Sequence, residues 1–203
     1  MKKIFKSIIC TGVISALTTA CVTVEEENKI EENKNYTSIV ESKEYTEMDI
    51  YQTKIRYKLA ESTSLWNCDY NFGALEIDTI LMPSKNGQPI DKYYDVENIS
   101  GIHFQTGDDA IKSEDSLKFK YKNWYSISDL KVENIEKGPF VKYIKGETDD
   151  IYMESYALKY KDENGKDIYY DITLVLYKND YDKELINNVI NEYHLIINTL
   201  ELI

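Results

Sequence analysis

Histidine and cysteine are scarce in this 203-residue chain. It holds two histidines, His103 and His194, and three cysteines, Cys10, Cys21 and Cys68. His194 falls in a helical pattern with Ile190 and Asn198 at i−4 and i+4, so no second ligand of metal type shares its face. A general base needs a partner within hydrogen-bond reach, and the local sequence supplies none. His194 is expected at a core boundary, and His103, in Gly101-Ile102-His103-Phe104, has no better case. Asp162-Glu163-Asn164-Gly165-Lys166-Asp167 has the acid density of a calcium loop. Its glycine falls at the fourth position, not the sixth, and the twelfth residue is Thr173, not Glu. Asp108-Asp109 and Asp149-Asp150 are acidic pairs suited to weak calcium binding or, by default, to solvated loops. No Gly-x-Ser-x-Gly elbow and no phosphate-binding glycine loop occurs. Carboxylate pairs for glycoside hydrolysis meet only in three dimensions. The expectation is therefore no catalytic set, no metal site and no cofactor. Cys68, in Trp66-Asn67-Cys68-Asp69-Tyr70, has no basic neighbour in sequence and reads as a buried thiol.

The residues with the clearest chemistry stand at the N-terminus. Lys2, Lys3 and Lys6 precede an uncharged run from Ile8 to Leu17, followed by Thr18-Thr19-Ala20 and then Cys21. Charge, apolar core and small residues form the order of a secretory signal. The uncharged stretch from Ser7 to Val24 barely matches a membrane span and is diluted by hydroxyl residues, which disfavours an uncut anchor.

The segment ending at Ala20-Cys21 resembles the lipobox of bacterial lipoprotein precursors. The resemblance implies that Cys21 is diacylated on sulfur and that the bond before it is cut. One position departs: the family usually places Leu where Thr18 stands, and Leu17 lies one residue further back. Thr18-x-Ala20 also suits ordinary signal peptidase, which would cut the same bond and leave a free thiol. Ile9 before Cys10 is too bulky for either reading. Val22, not being aspartate, implies the outer membrane as the address if the cell has two.

Removing residues 1–20 takes the net charge from −12 to −15. Such a chain repels phosphate backbones, so nucleic acid is excluded as an expected partner. Membrane attachment is expected through the lipid, because basic patches for anionic headgroups are missing. Residues 21–49 are acidic and poor in apolar residues, and read as a flexible tether reaching about 25–30 Å. Residues 50–203 are expected to form one domain.

Within that domain, Ile50–Leu59, Ala74–Met82 and Ile99–Phe104 read as strands, and Pro83–Pro89 as a turn. Asp108–Asp115 reads as a helical turn. Leu117-Lys118-Phe119-Lys120-Tyr121-Lys122 alternates apolar and basic, the pattern of a half-solvated strand. Leu130–Ile135 and Phe140–Ile144 alternate likewise around Gly138-Pro139. Ile151–Lys161 and Ile168–Tyr177 are the clearest strands, joined through Asn164-Gly165, a strong hairpin signal. Asp180 or Asp182 caps a helix to about Leu200, with Ile186, Val189, Ile190, Tyr193, Ile197 and Leu200 on one face. The fold class is α+β: a mostly antiparallel β-sheet with a long C-terminal α-helix packed on one face.

Tyr169-Tyr170-Asp171-Ile172-Thr173-Leu174, Asp182-Lys183-Glu184, Tyr193 and Ile196-Ile197-Asn198-Thr199-Leu200 together resemble the end of PsbP-like domains. The likeness covers about a quarter of the chain. It implies a non-enzymatic extracytoplasmic protein that binds a larger assembly.

A two-residue turn at Asn164-Gly165 pairs Glu163 with Lys166. It places Ile151, Met153, Ser155 and Ala157 with Ile168, Tyr170, Ile172, Leu174 and Leu176 beneath the helix. Tyr152, Tyr156 and Tyr160 then share the opposite face with Tyr169 and Tyr177, a candidate binding face. A three-residue loop exchanges the faces of one strand and sends Glu154 under the helix, where an unpaired carboxylate is costly. The function expected is a lipid-anchored extracytoplasmic envelope protein that binds a protein or glycan through its sheet. The alternative is a small hydrolase with a site built from scattered residues.

Overall fold

The computed structural model describes residues 39–50, 53–68, 77–90, 99–107 and 113–203. These residues belong to one compact unit, Tyr36–Ile203. Their architecture is mostly antiparallel β-sheet with two α-helices. Cys21 and Asp108-Asp109 lie outside the described residues.

Folding begins earlier than the acidic composition predicts. Strand β1 (Thr46–Ile50) pairs antiparallel with β2 (Thr53–Tyr57), and a bridge joins Glu41 to Ala60. The stretch expected as tether to residue 49 is therefore structured over at least its last residues. Ile50 is buried, and Lys58 pairs with Glu41 at 2.8 Å, so some acids of this stretch are spent on ion pairs.

The large sheet contains β3 (Leu65–Cys68), β4 (Ile77–Lys85), β6 (Gly101–Gly107), β7 (Leu130–Lys137), β8 (Phe140–Glu147), β9 (Ile151–Lys161) and β10 (Asp167–Tyr177). Their order is β3-β4-β6-β10-β9-β8-β7, with β5 (Gln88–Pro89) pairing β4. Strand β4 runs through Pro83 to Lys85. The turn expected over Pro83–Pro89 contracts to Asn86-Gly87, where both residues have positive φ, 56° and 71°, the requirement of a two-residue hairpin turn.

The same dipeptide behaves differently at Asn164-Gly165. Lys161 pairs with Asp167, and the Asp162 amide donates to the Lys166 carbonyl, so the loop is the three residues Glu163, Asn164 and Gly165. Only Gly165 is left-handed, at φ 78°. The Asp162 carboxylate accepts from the amides of Asn164 and Lys166 and holds the loop in this form. The expected pairing of Glu163 with Lys166 is thereby overturned. Tyr152, Glu154, Tyr156 and Tyr160 share a face with Ile168, Tyr170, Ile172, Leu174 and Leu176, whereas Tyr169 and Tyr177 point to the other side with Ser155, Asp171 and Thr173. The single tyrosine face expected from the sequence does not exist.

Leu117–Lys122 is helix, not strand. It lies in α1 (Glu114–Tyr125), capped by the Ser113 side chain and closed by left-handed Ser126. Six residues of alternation cannot separate the two periods, but Leu117, Tyr121 and Tyr125 recur every four, and all are buried. Phe119, which alternation would place with them, is 69% exposed.

Helix α2 (Lys183–Thr199) begins at Asp182, whose carboxylate accepts from the Leu185 amide. Its Val189, Tyr193, Ile196 and Ile197 share a buried apolar cluster with Phe104, Leu158, Ile172 and Leu174 of the sheet. The Tyr193 hydroxyl donates to the backbone carbonyls of Glu154 and Ile172, at 3.1 and 2.8 Å. A second cluster joins Leu117, Tyr121 and Tyr125 of α1 to Ile144, Met153, Ala157 and Val175. The chain ends in β11 (Glu201–Leu202), paired with β2, giving a small sheet of order β1-β2-β11.

Candidate functional site

Glu154 is buried on the face that the sequence reading rejected as too costly, with His194 of α2 against it. The structure removes the cost by pairing. His194 Nε2 lies 3.0 and 3.2 Å from the two Glu154 oxygens, and the Tyr152 hydroxyl donates to Glu154 Oε2. A carboxylate accepts only, so Nε2 carries the proton that it donates to Glu154. Burial alone would push the Glu154 carboxyl up. The His194 hydrogen bond and charge, the Tyr152 hydroxyl and the Lys145 ammonium more than offset it and hold the group below its ordinary value. His194 is thus not a boundary residue without a partner. Its partner comes from the sheet, a contact invisible to i±4 spacing.

Around this pair the sheet places three half-buried tyrosines. Tyr143 of β8 stands opposite Tyr156 of β9, with ring centroids 5.0 Å apart, and Tyr156 also meets Tyr193 at 6.2 Å. Tyr152 lies next to Glu154. The Lys137 ammonium sits 5.2 Å from the Tyr156 ring centre, and that of Lys145 lies 5.1 Å from Tyr152. Lys137 also donates to Asn198 Oδ1 at 2.6 Å. Burial, then the Glu154 charge, push the Tyr156 hydroxyl up to about 12 and those of Tyr143 and Tyr152 higher. The three remain neutral hydrogen-bonding rings. Of the five tyrosines expected on one binding face, Tyr152 and Tyr156 belong to this patch. Tyr160 lies buried further along β9, and Tyr169 and Tyr177 lie on the opposite face. Tyr143 was missed because its β8 alternation gives no hint of which β9 residues stand beside it.

The other face carries a sealed polar cluster. Lys120 of α1 and Asp171 of β10 are both buried, 3.4 Å apart. The Tyr121 hydroxyl lies 3.0 Å from Asp171 Oδ2 and 3.1 Å from Ser155 Oγ, which itself meets Thr173 Oγ1 at 2.7 Å. Gln105 Nε2 donates to the Tyr125 hydroxyl at 2.6 Å. His103 Nε2 lies 3.0 Å from the Ile99 carbonyl, and burial lowers its pKa to about 4, so it stays a neutral core histidine. Asp171 and Thr173, which alternate with Ile172 and Leu174, are fully buried here against Tyr121 of α1.

The remaining acidic candidates serve turns. Asp150 accepts from Asn179 Nδ2, and Asp162 caps its own loop. Among the described residues no group of three His, Cys, Asp or Glu converges to hold a metal, and no helix is long and apolar enough to cross a membrane. The Glu154–His194 pair has the form of an oriented base, as in the carboxylate–histidine half of a hydrolytic triad. No protein-family model matches the chain, and no curated protein or solved structure is significantly similar to it.

Proposed function

We propose that the chain is an exported envelope protein, anchored by lipid at Cys21, that binds a partner without catalysing a reaction on it. On this reading the domain is an α+β fold with α2 laid along one face of the sheet. The observation that carries the binding assignment is the half-buried patch of Tyr143, Tyr152 and Tyr156 beside His194. Tyrosine combines apolar area with a hydrogen-bonding tip, and it is enriched where surfaces meet. Export and anchoring rest on Lys2, Lys3, Lys6 and the Ala20-Cys21 junction. The address is the outer membrane in a cell with two membranes. Hydroxyl-radical footprinting tests the binding face. Tyr143 and Tyr156 should be protected in intact envelopes relative to the purified chain; equal modification in both settings removes the reading.

A second reading, a small extracytoplasmic hydrolase, is favoured by one observation. Glu154 holds the His194 ring through Nε2, the carboxylate–histidine arrangement of a positioned base. Hydrolysis of any ester or glycoside by the wild-type chain, lost in His194→Gln, would establish it.

A further inference from the structure

We propose that the core between α1 and the large sheet binds one internal water molecule, held by Gln105, Asp171 and Lys120. The site is independent of what the tyrosine patch binds.

Two acceptors point to it. Gln105 Oε1 and Asp171 Oδ1 are buried and, among the described residues, have no hydrogen-bond partner. The two residues are neighbours. Gln105 on β6 and Asp171 on β10 stand directly opposite each other in the antiparallel ladder, so their side chains share the face that α1 covers. A buried acceptor left unpaired costs more than a typical hydrogen bond gains. Two such acceptors side by side require a shared donor.

The Gln105 amide is oriented by a chain of hydrogen bonds. His103 Nε2 faces the Ile99 carbonyl at 3.0 Å, and a carbonyl only accepts, so the ring proton sits on Nε2. Burial lowers the His103 pKa to about 4, which leaves Nδ1 as an acceptor. The Tyr125 hydroxyl, 3.5 Å from Nδ1, directs its hydrogen there, and its oxygen accepts from Gln105 Nε2 at 2.6 Å. Exchanging the amide oxygen and nitrogen would draw the Tyr125 hydrogen away and strand Nδ1. The chain therefore uses Nε2, and Oε1 is the amide atom left over.

Asp171 offers no proton of its own. Its Oδ2 meets Lys120 Nζ at 3.4 Å, the Tyr121 hydroxyl at 3.0 Å and the Thr173 hydroxyl at 3.4 Å. Three donors converging on one oxygen suit a carboxylate, and none of them reaches Oδ1. Lys120 has hydrogens to spare. Its buried ammonium carries three, and among the described residues its hydrogen-bond acceptor is Asp171 Oδ2.

The ligand of this site must donate two hydrogens, accept one and carry no net charge. A second cation would be repelled by the Lys120 ammonium, and an anion by Asp171, in surroundings that screen neither. Water has this set of donors and acceptors, and internal waters typically make about three hydrogen bonds to groups otherwise unsatisfied. Bound here, it joins β6, β10 and α1 at one point.

A crystal structure of the full chain in detergent tests the site. One ordered water should lie about 2.7–3.2 Å from Gln105 Oε1, Asp171 Oδ1 and Lys120 Nζ. Gln105 and Asp171 in direct contact with no water between them overturns the proposal. So does a site filled by an ion with a shell of oxygens at about 2.3–2.6 Å, the spacing of a calcium ion. Oxygen-17 relaxation dispersion measures the same site in solution. Gln105→Met should hold about one long-lived water fewer per chain than the wild type. An unchanged count in the folded variant overturns the proposal, and if the variant fails to fold, the wild-type crystal structure decides.

Discussion

His194 Nε2 of α2 spans both carboxylate oxygens of Glu154 on β9, at 3.0 and 3.2 Å, and this contact joins the last helix to the middle of the large sheet. A carboxylate buried without such a donor costs several kcal/mol, so the pair explains how the hairpin can afford the register it adopts.

Removing the histidine should expose that cost. His194→Ala is expected to lower stability by about 2–3 kcal/mol, the range for leaving a buried charged group without its hydrogen bond. Glu154→Gln in the same background should recover part of the loss. Urea denaturation of the three proteins at neutral pH measures both steps.

The same contact has a pH signature. The folded-state pKa of Glu154 is lowered, so its contribution is complete above the ordinary glutamate value near 4.5 and fades as pH falls through the lowered folded value. The wild type should therefore lose stability on acidification below about pH 4.5 more steeply than Glu154→Gln. Parallel loss in the two proteins would show that the carboxylate contributes nothing there.

Lys120 and Asp171 make a second testable pair. Lys120→Met alone should cost about 3–5 kcal/mol, because it strands a buried carboxylate. Lys120→Met combined with Asp171→Leu should be much closer to the wild type, since well-packed apolar replacements of buried ion pairs are often neutral. Thermal melts of the single and double variants decide this; a double variant no better than the single would mean that Tyr121 and Thr173 depend on the acid.

The lipid assignment stands or falls at one residue. Metabolic labelling with a fatty-acid probe should mark the wild-type chain and leave Cys21→Ser unmarked. Equal labelling of both would place the modification elsewhere.

The hairpin loop offers a backbone test. Gly165 holds φ 78°, and a Cβ there would meet no atom within 4 Å, so any loss on substitution is conformational. Gly165→Ala should cost about 1 kcal/mol and Gly165→Asn less, because asparagine tolerates the left-handed region. Denaturant midpoints with unchanged m-values would confirm that only the turn is affected.

Part of this architecture is legible in the amino-acid sequence alone. The spans of β9 and β10, and the Asp182 cap of α2, were legible because apolar period and turn chemistry agree there. The pairing between β9 and β10 was not. It depends on Asp162, whose carboxylate ties the loop amides, and on His194, which arrives from forty residues away to satisfy Glu154. Local rules weighed Glu154 as if it had no partner. Helix α1 failed for a different reason: Lys120, a buried cation, and exposed Phe119 invert the polarity that a six-residue window expects. The patch shares this origin, since Tyr143 joins Tyr156 only through strand register.

The small sheet of order β1-β2-β11 sets how the domain would carry a mechanical load. Tension applied through the segment before Glu41 meets the Glu41–Ala60 bridge and the Lys58 ion pair first, and then β1, whose neighbour in that sheet is β2. Strand β2 is in turn clamped on its other side by β11, with Arg56 gripping Glu201. A pull at the front of the domain is thereby transmitted through β2 to residues near position 203.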